Sequence, residues 1–269
     1  PPEEDTVLEE PIVIEKKVVI EIPIVIEEPV VIEEPVVVEE PVVVEEPPEE
    51  PSDDSDLTEL QKFIKANKQE ILDFLSRLFG PNASDYDKVR AIFYWLCTYD
   101  IRKLDPENPP TFVMDYIMYL IVTRKTTYAN VFEELVLLVG VPCQVIIGHA
   151  KGVNYLPGVK LSRNTWHIWN VVELQGQWHL VDCNWSAKTL IGQDVNHAVL
   201  TYELNEFYFL TPPEKFIISH FPFDLQWTLL SEPYSQEKFE SSVPLKPTFF
   251  TQDLSLMTHT NCVIESKNE

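Results

Sequence analysis

WHIWNVVELQGQWHLVDCNW, residues 166–185, reads as two strands around a tight turn. Its β-branched and aromatic residues favour extended backbone, and Gln175-Gly176 breaks the run, so a hairpin is expected from residues 165–174 and 177–183. With Gln175 and Gly176 as the central turn residues, Leu174 faces Gln177, Asp182 faces Trp169, and Asn184 faces His167. Side chains alternate with period two, so Asp182 and Asn184 share a face with His167 while Cys183 points the other way. His167 and Asp182 become diagonal neighbours, with Cβ atoms about 7–8 Å apart or less, within reach of an imidazole–carboxylate hydrogen bond. Such a carboxylate fixes the imidazole tautomer and raises its basicity. The flanking Trp166, Trp169, Trp178 and Trp185 suit the apolar wall of a site.

Upstream of this hairpin the hydrophobic period is helical. Leu57, Leu60, Phe63, Ile64, Ile71, Leu72, Leu75, Leu78 and Phe79 form one run that Gly80-Pro81 ends, opened by Asp56 as an acidic cap with Glu59 three residues on. Ser84 is expected to cap a second helix with Val89, Ile92, Phe93 and Leu96 as its apolar stripe. Further helices are expected over residues 112–119 and 128–139, the last burying Val131, Phe132, Leu135 and Leu138 and stopped by Gly140. Residues 144–150 and 207–210 read as strands, and 214–219 as a short helix. Helices first and an antiparallel sheet second give an α+β fold.

The aromatic residues all follow position 57, so the core must come from there. Residues 1–56 carry twenty Asp or Glu against Lys16 and Lys17, most of the formal net charge of -24. Such an arm speaks against nucleic acid and anionic membrane surfaces, since both need Lys and Arg, and leaves a cationic protein partner open. Six of its prolines, at 11, 23, 29, 35, 41 and 47, fall on a six-residue grid with the unit Glu-Glu-Pro-Val-Val-Val. Because six is even, neither face of such a strand is cleanly apolar, and a disordered, extended linker is expected. An elastic spacer or interaction arm and a β-solenoid are the other readings of the repeat. The four cysteines show no CxxC spacing, no signal peptide opens the chain, and no apolar run is long enough to span a bilayer, so a cytoplasmic protein is expected. The chain nevertheless begins with Pro1, as a fragment would. His179 and Cys183 would share a strand face but lack further ligands, so neither a metal nor another cofactor is expected.

At His167-x-Trp169-Asn170-x-Val172 and Trp178-His179-Leu180-Val181-Asp182-x-x-Trp185 the sequence resembles the His and Asp motifs of transglutaminase-like domains, papain-fold proteins with a Cys–His–Asp triad. Arg90-Ala91-Ile92-Phe93-x-Trp95 and Gly148-His149-Ala150-Lys151-Gly152 extend the likeness upstream. Tyr208-Phe209-Leu210-Thr211-x-Pro213-Glu214, His220-Phe221-Pro222, Trp227-x-Leu229-Leu230 and Leu245-Lys246-Pro247-x-Phe249-Phe250 resemble the kyphoscoliosis-peptidase and hillarin branch. The family places its cysteine in Cys-x-Gly-Tyr-x-Asn-x-Phe at a helix start, where the helix N-terminus favours thiolate. The matching stretch here retains Tyr128, Asn130 and Phe132 but has Lys125 where the cysteine is expected and Thr127 in place of the glycine. Alternatively Arg124-Lys125 matches the family's usual Arg-Lys and a short deletion has removed the cysteine.

The resemblance implies a papain-like core over residues 57–230 between the repeat, 1–56, and a C-terminal extension, 231–269, that begins a further module. It implies His167 and Asp182 as triad remnants, and Tyr128, Asn130, Trp166, Trp169, Asn184 and Trp185 as cleft residues. Lys125 could instead pair with Asp182, and Thr126 and Thr127 are poor nucleophiles without a terminal amine as base. The expected function is a catalytically inactive module that binds cytoskeletal or other cytosolic proteins. The competing reading is an active cysteine peptidase or transglutaminase with a relocated thiol, at Cys183 or Cys97.

Overall fold

Thr58, not Asp56, opens the first helix. Its hydroxyl accepts the Gln61 N–H at 3.2 Å, and the Gln61 side chain accepts the Thr58 N–H at 3.0 Å, closing a capping box. Glu59, expected to serve the cap, bonds the Lys125 ammonium at 2.9 Å instead. The computed structural model describes residues 57–152, 155–191, 199–252 and 254–263; Asp56 and the acidic repeat lie outside them.

The run expected as one helix is two, α1 (Glu59–Ala66) and α2 (Lys68–Phe79). Asn67 separates them by leaving helical geometry (φ −115°, ψ 20°) while its side-chain amide donates to the Phe63 carbonyl at 2.9 Å. Ser84 caps α3 (Asp85–Thr98) as expected, with Asp87 completing the box. Helix α4 (Val113–Val122) runs past its expected end. It stops in a Schellman turn, with Arg124 left-handed (φ 60°), Lys125 N–H on the Leu120 carbonyl and Arg124 N–H on the Ile121 carbonyl. Four residues later α5 (Tyr128–Leu138) begins, capped by the Thr127 hydroxyl on Asn130 N–H. It buries Val131, Phe132 and Leu135 as expected, while Leu138 is only partly covered.

Strands β1 (Cys143–Ala150), β2 (Trp166–Leu174) and β3 (Gln177–Val181) follow, and the chain then turns into α6 (Cys183–Ala187). A two-stranded ribbon pairs β4 (Thr189–Ile191) with β5 (Val199–Thr201). Next come β6 (Phe209–Thr211), α7 (Pro213–Phe216) and β7 (His220–Pro222), then α8 (Gln236–Ser241) and α9 (Pro247–Thr251). The main sheet is antiparallel in the order β6-β3-β2-β1-β7. The hairpin register is the expected one, Leu174 opposite Gln177, set by Gln175 and Gly176 both at positive φ.

One sheet face packs on the helices, with Val172, Leu174 and Val181 against Phe93, Ile117 and Phe132. The other buries Ile146, Trp169, Val171 and Leu180 with Tyr208 and Phe216. Tyr234 and Phe239 join Ile217 and Phe221 in a third cluster, so the segment after residue 230 packs on the same domain. Lys151 fastens it: the buried ammonium donates to the Ser242 carbonyl and hydroxyl at 2.7 and 2.9 Å and to the Phe239 carbonyl. The described residues fall in one compact unit.

Gly148 lets β7 and Trp169 close on β1. A Cβ there would lie 2.6 Å from the Trp169 ring and 2.7 Å from Pro222 Cα. Gly148→Ala is therefore expected to lower unfolding free energy by about 1–3 kcal/mol or more. Gly152→Ala, where the nearest atom would be 3.6 Å away, makes the control. Equal denaturation midpoints for the two variants would contradict this account of the β1–β7 contact.

Candidate functional site

The expected pair forms, by a different local route. Strand β3 ends at Val181, one residue before Asp182. Asp182 instead caps α6, its Oδ1 accepting the Trp185 N–H at 3.0 Å. That leaves Oδ2 to accept from His167 Nε2 at 2.6 Å. Asn184 is thus a helix residue rather than a strand residue opposite His167, and Cys183 begins the helix. Cys183 remains on the far side, buried in the helix-side core, with its carbonyl 3.5 Å from Cys97 Sγ.

A second imidazole completes the network. His220 Nε2 donates to the same Asp182 Oδ2 at 3.1 Å, and its Nδ1 lies 2.9 Å from the Ser219 hydroxyl. An ionised carboxylate only accepts, so both Nε2 atoms carry their protons when the network is in this form. The group sits in an aromatic cage: the Trp185 ring is 5.2 Å from His167 and 4.4 Å from His220, and Phe216 stacks on His220 at 4.0 Å. Burial alone would push the Asp182 carboxyl up. The two imidazoles outweigh it and hold the carboxyl well below the usual carboxylate range. For His220 burial wins over the attraction of Asp182, and its pKa falls to about 4.

His167 forms part of the wall of a cleft of about 280 Å³ that Tyr128, Asn184, Lys188, Thr126 and Thr127 also line. The Schellman turn after α4 and the Thr127 cap shape its rim. The half-buried Lys188 ammonium lies 5.4 Å from the Tyr128 ring centroid, its pKa lowered by burial against the pull of Asp182.

The other expected site residues divide. Trp185 covers the histidine pair. Trp169 is 1% exposed and belongs to the core beneath His167. Trp166 is 54% exposed and packs on Phe223, outside the cleft. Asn130 supplies the capped N–H of α5 and does not line the cleft. Lys125 does not pair with Asp182, because Glu59 holds it. His220 was in view only as part of a motif. Its role depends on β7 lying beside β1, and no local spacing announces that.

Residues 73–183 match the profile of the transglutaminase-like superfamily. The chain is 34% identical over 202 residues to the kyphoscoliosis peptidase of Mus musculus, covering 74% of this chain and 30% of that protein. Hillarin of Drosophila melanogaster is 30% identical over 196 residues, 68% of this chain and 23% of its own length. The Lim and transglutaminase domain protein ltd-1 of Caenorhabditis elegans is 32% identical over 200 residues, 69% and 27% of the two chains. The chain thus spans less than a third of the length of these relatives.

The network predicts acid sensitivity. An unfolded histidine titrates near pH 6.5, whereas folded His220 does so near 4. Between those values the unfolded chain takes up a proton that the native protein refuses, so stability falls as pH drops, by up to about 1.4 kcal/mol per pH unit. Below the unfolded carboxylate range Asp182, with its lowered pKa, adds to the loss. His220→Gln keeps a donor without the titration and is expected to flatten the pH 4–6.5 limb in chelator-treated buffer. Denaturation curves of equal slope for both proteins would count against the buried neutral imidazole.

Proposed function

The chain carries a transglutaminase-like domain, and from that premise we propose that its cleft binds peptide segments of a cytoskeletal or other cytosolic protein without catalysing acyl transfer. One observation carries this reading: no cysteine lines the cleft beside the His167–Asp182 pair. Cysteine-based acyl transfer needs a thiolate within hydrogen-bond reach of the imidazole. Cys97, Cys143 and Cys183 are buried in the helix-side core, and Cys262 Sγ lies 3.4 Å from the Glu240 carbonyl in the C-terminal segment. Burial pushes the Cys143 and Cys183 thiols up, the opposite of what a nucleophilic thiol requires. The two cleft threonines have no terminal amine to act as base.

The surface next to the cleft suits a peptide. Ile121 and Ile168 give the cleft apolar contacts, and Arg124 and Lys188 supply positive charge. Ile147, which pairs with Ile168 across β1 and β2, is 51% exposed, and Trp166 and Phe223 continue the apolar surface. A cytoplasmic location belongs to the same proposal; among the described residues no helix is long and apolar enough to cross a membrane.

Amine incorporation into casein and casein cleavage test the reading. Wild type and His167→Ala are expected to give the same background rates in both assays. Turnover by the wild type that His167→Ala abolishes would establish the competing enzyme with a relocated thiol.

A further inference from the structure

We propose that His167, Asp182 and His220 form a binding site for one divalent transition-metal ion of the zinc class. The inference rests on the reading of the cleft as one without a thiol, so that no thiolate–imidazole pair competes for the His167 ring.

Three donor atoms converge, His167 Nε2, Asp182 Oδ2 and His220 Nε2, all within 4.8 Å of one another. They come from β2, the cap of α6 and β7, so three elements of the fold fix their positions. Two imidazoles and a carboxylate are a common donor set for such ions, with a fourth position left to water or ligand. Bonds of about 2.0–2.1 Å in a tetrahedral site place ligand atoms about 3.3 Å apart. The contacts of 2.6 and 3.1 Å must therefore open by less than an ångström, and the two Nε2 atoms, within 4.8 Å of each other, must settle at the same spacing.

The tautomers allow it. A metal requires bare Nε2 atoms, with each ring carrying its proton on Nδ1. For His220 the Ser219 hydroxyl, 2.9 Å away, can accept that proton's hydrogen bond while itself donating to the Phe216 carbonyl. Outer partners of this kind orient ligating histidines. His167 borders the cleft, where its Nδ1–H can meet water. Starting from neutral rings, binding moves each proton from Nε2 to Nδ1 and releases none. Asp182 Oδ1 keeps its bond to Trp185 N–H throughout, so the carboxylate stays aimed. The charge balance also favours a cation: the buried Asp182 carboxylate bonds His220, whose ring is surrounded by those of Trp169, Trp185, Tyr208 and Phe216. Lys188, coupled electrostatically to Asp182, opposes it.

Zinc titration of the metal-free full chain tests the site, with millimolar magnesium present to occupy the acidic N-terminal repeat. One ion per chain is expected, bound about tenfold or more weakly by His167→Gln and by His220→Gln, and more tightly by Lys188→Met. Cobalt should give visible absorption in the wild type that both histidine variants lose. If His220→Gln does not fold, His167→Gln, at the cleft wall, decides alone. No retained zinc, or stoichiometric binding unchanged by His167→Gln, overturns the proposal. Casein turnover read separately tells the two failures apart: turnover sinks the thiol-free reading, whereas no zinc and no turnover sink the metal site alone.

Discussion

A single buried carboxylate ties this domain together. Asp182 is 1% exposed and bonds three elements at once: β2 through His167, β7 through His220, and the first turn of α6 through Trp185 N–H. Its backbone adds a fourth, since Asp182 N–H donates to the Tyr208 carbonyl. A charge so deep is tolerable only while its partners stay in place, and stripping partners from a buried charge costs about 3–5 kcal/mol. The aromatic cage follows from this need. Rings exclude water, which strengthens each remaining hydrogen bond, and they pack on the imidazole faces that the hydrogen bonds leave uncovered.

The parts of the fold that depend on local rules were legible in the sequence. Gln175 and Gly176 adopt the positive φ values that a two-residue hairpin demands, so counting outward from them placed the β2–β3 pairs as far as Asn170–Val181, beyond which the expected Asp182–Trp169 and Asn184–His167 pairs give way to α6. The same count brought His167 to Asp182, although Asp182 reaches it as a helix cap rather than as a strand residue. Periodicity found the helices but not the break at Asn67, where a side-chain amide competes for a backbone carbonyl. His220 escaped because it lies 38 positions from Asp182 and meets it only through the β1–β7 pairing. Trp169 was misplaced for a related reason: the sheet is covered on both faces, so an aromatic beside a site residue can just as well be core.

The chemistry follows from what stands around the imidazole. A catalytic histidine of this fold needs a carboxylate behind it and a thiol before it. The carboxylate is here, held more firmly than one partner would hold it. In front lie Thr126 and Thr127, shaped by the Schellman turn and the α5 cap, and Lys188 beneath a screen of burial. Lys125, in the turn before α5, is paired with Glu59 on α1. The cleft thus combines hydroxyl, amide and ammonium groups with the apolar side chains of Ile121 and Ile168.

The most direct measurement is the rate at which iodoacetamide labels each cysteine of the folded protein at neutral pH, resolved by mass spectrometry. The account predicts that Cys97, Cys143 and Cys183, all buried, react slowly, and that Cys262, partly exposed, reacts no faster than an ordinary thiol, with every rate unchanged by His167→Ala. One cysteine that reacts far faster than the rest, and loses that speed in His167→Ala, would contradict it and place an activated thiol at the histidine.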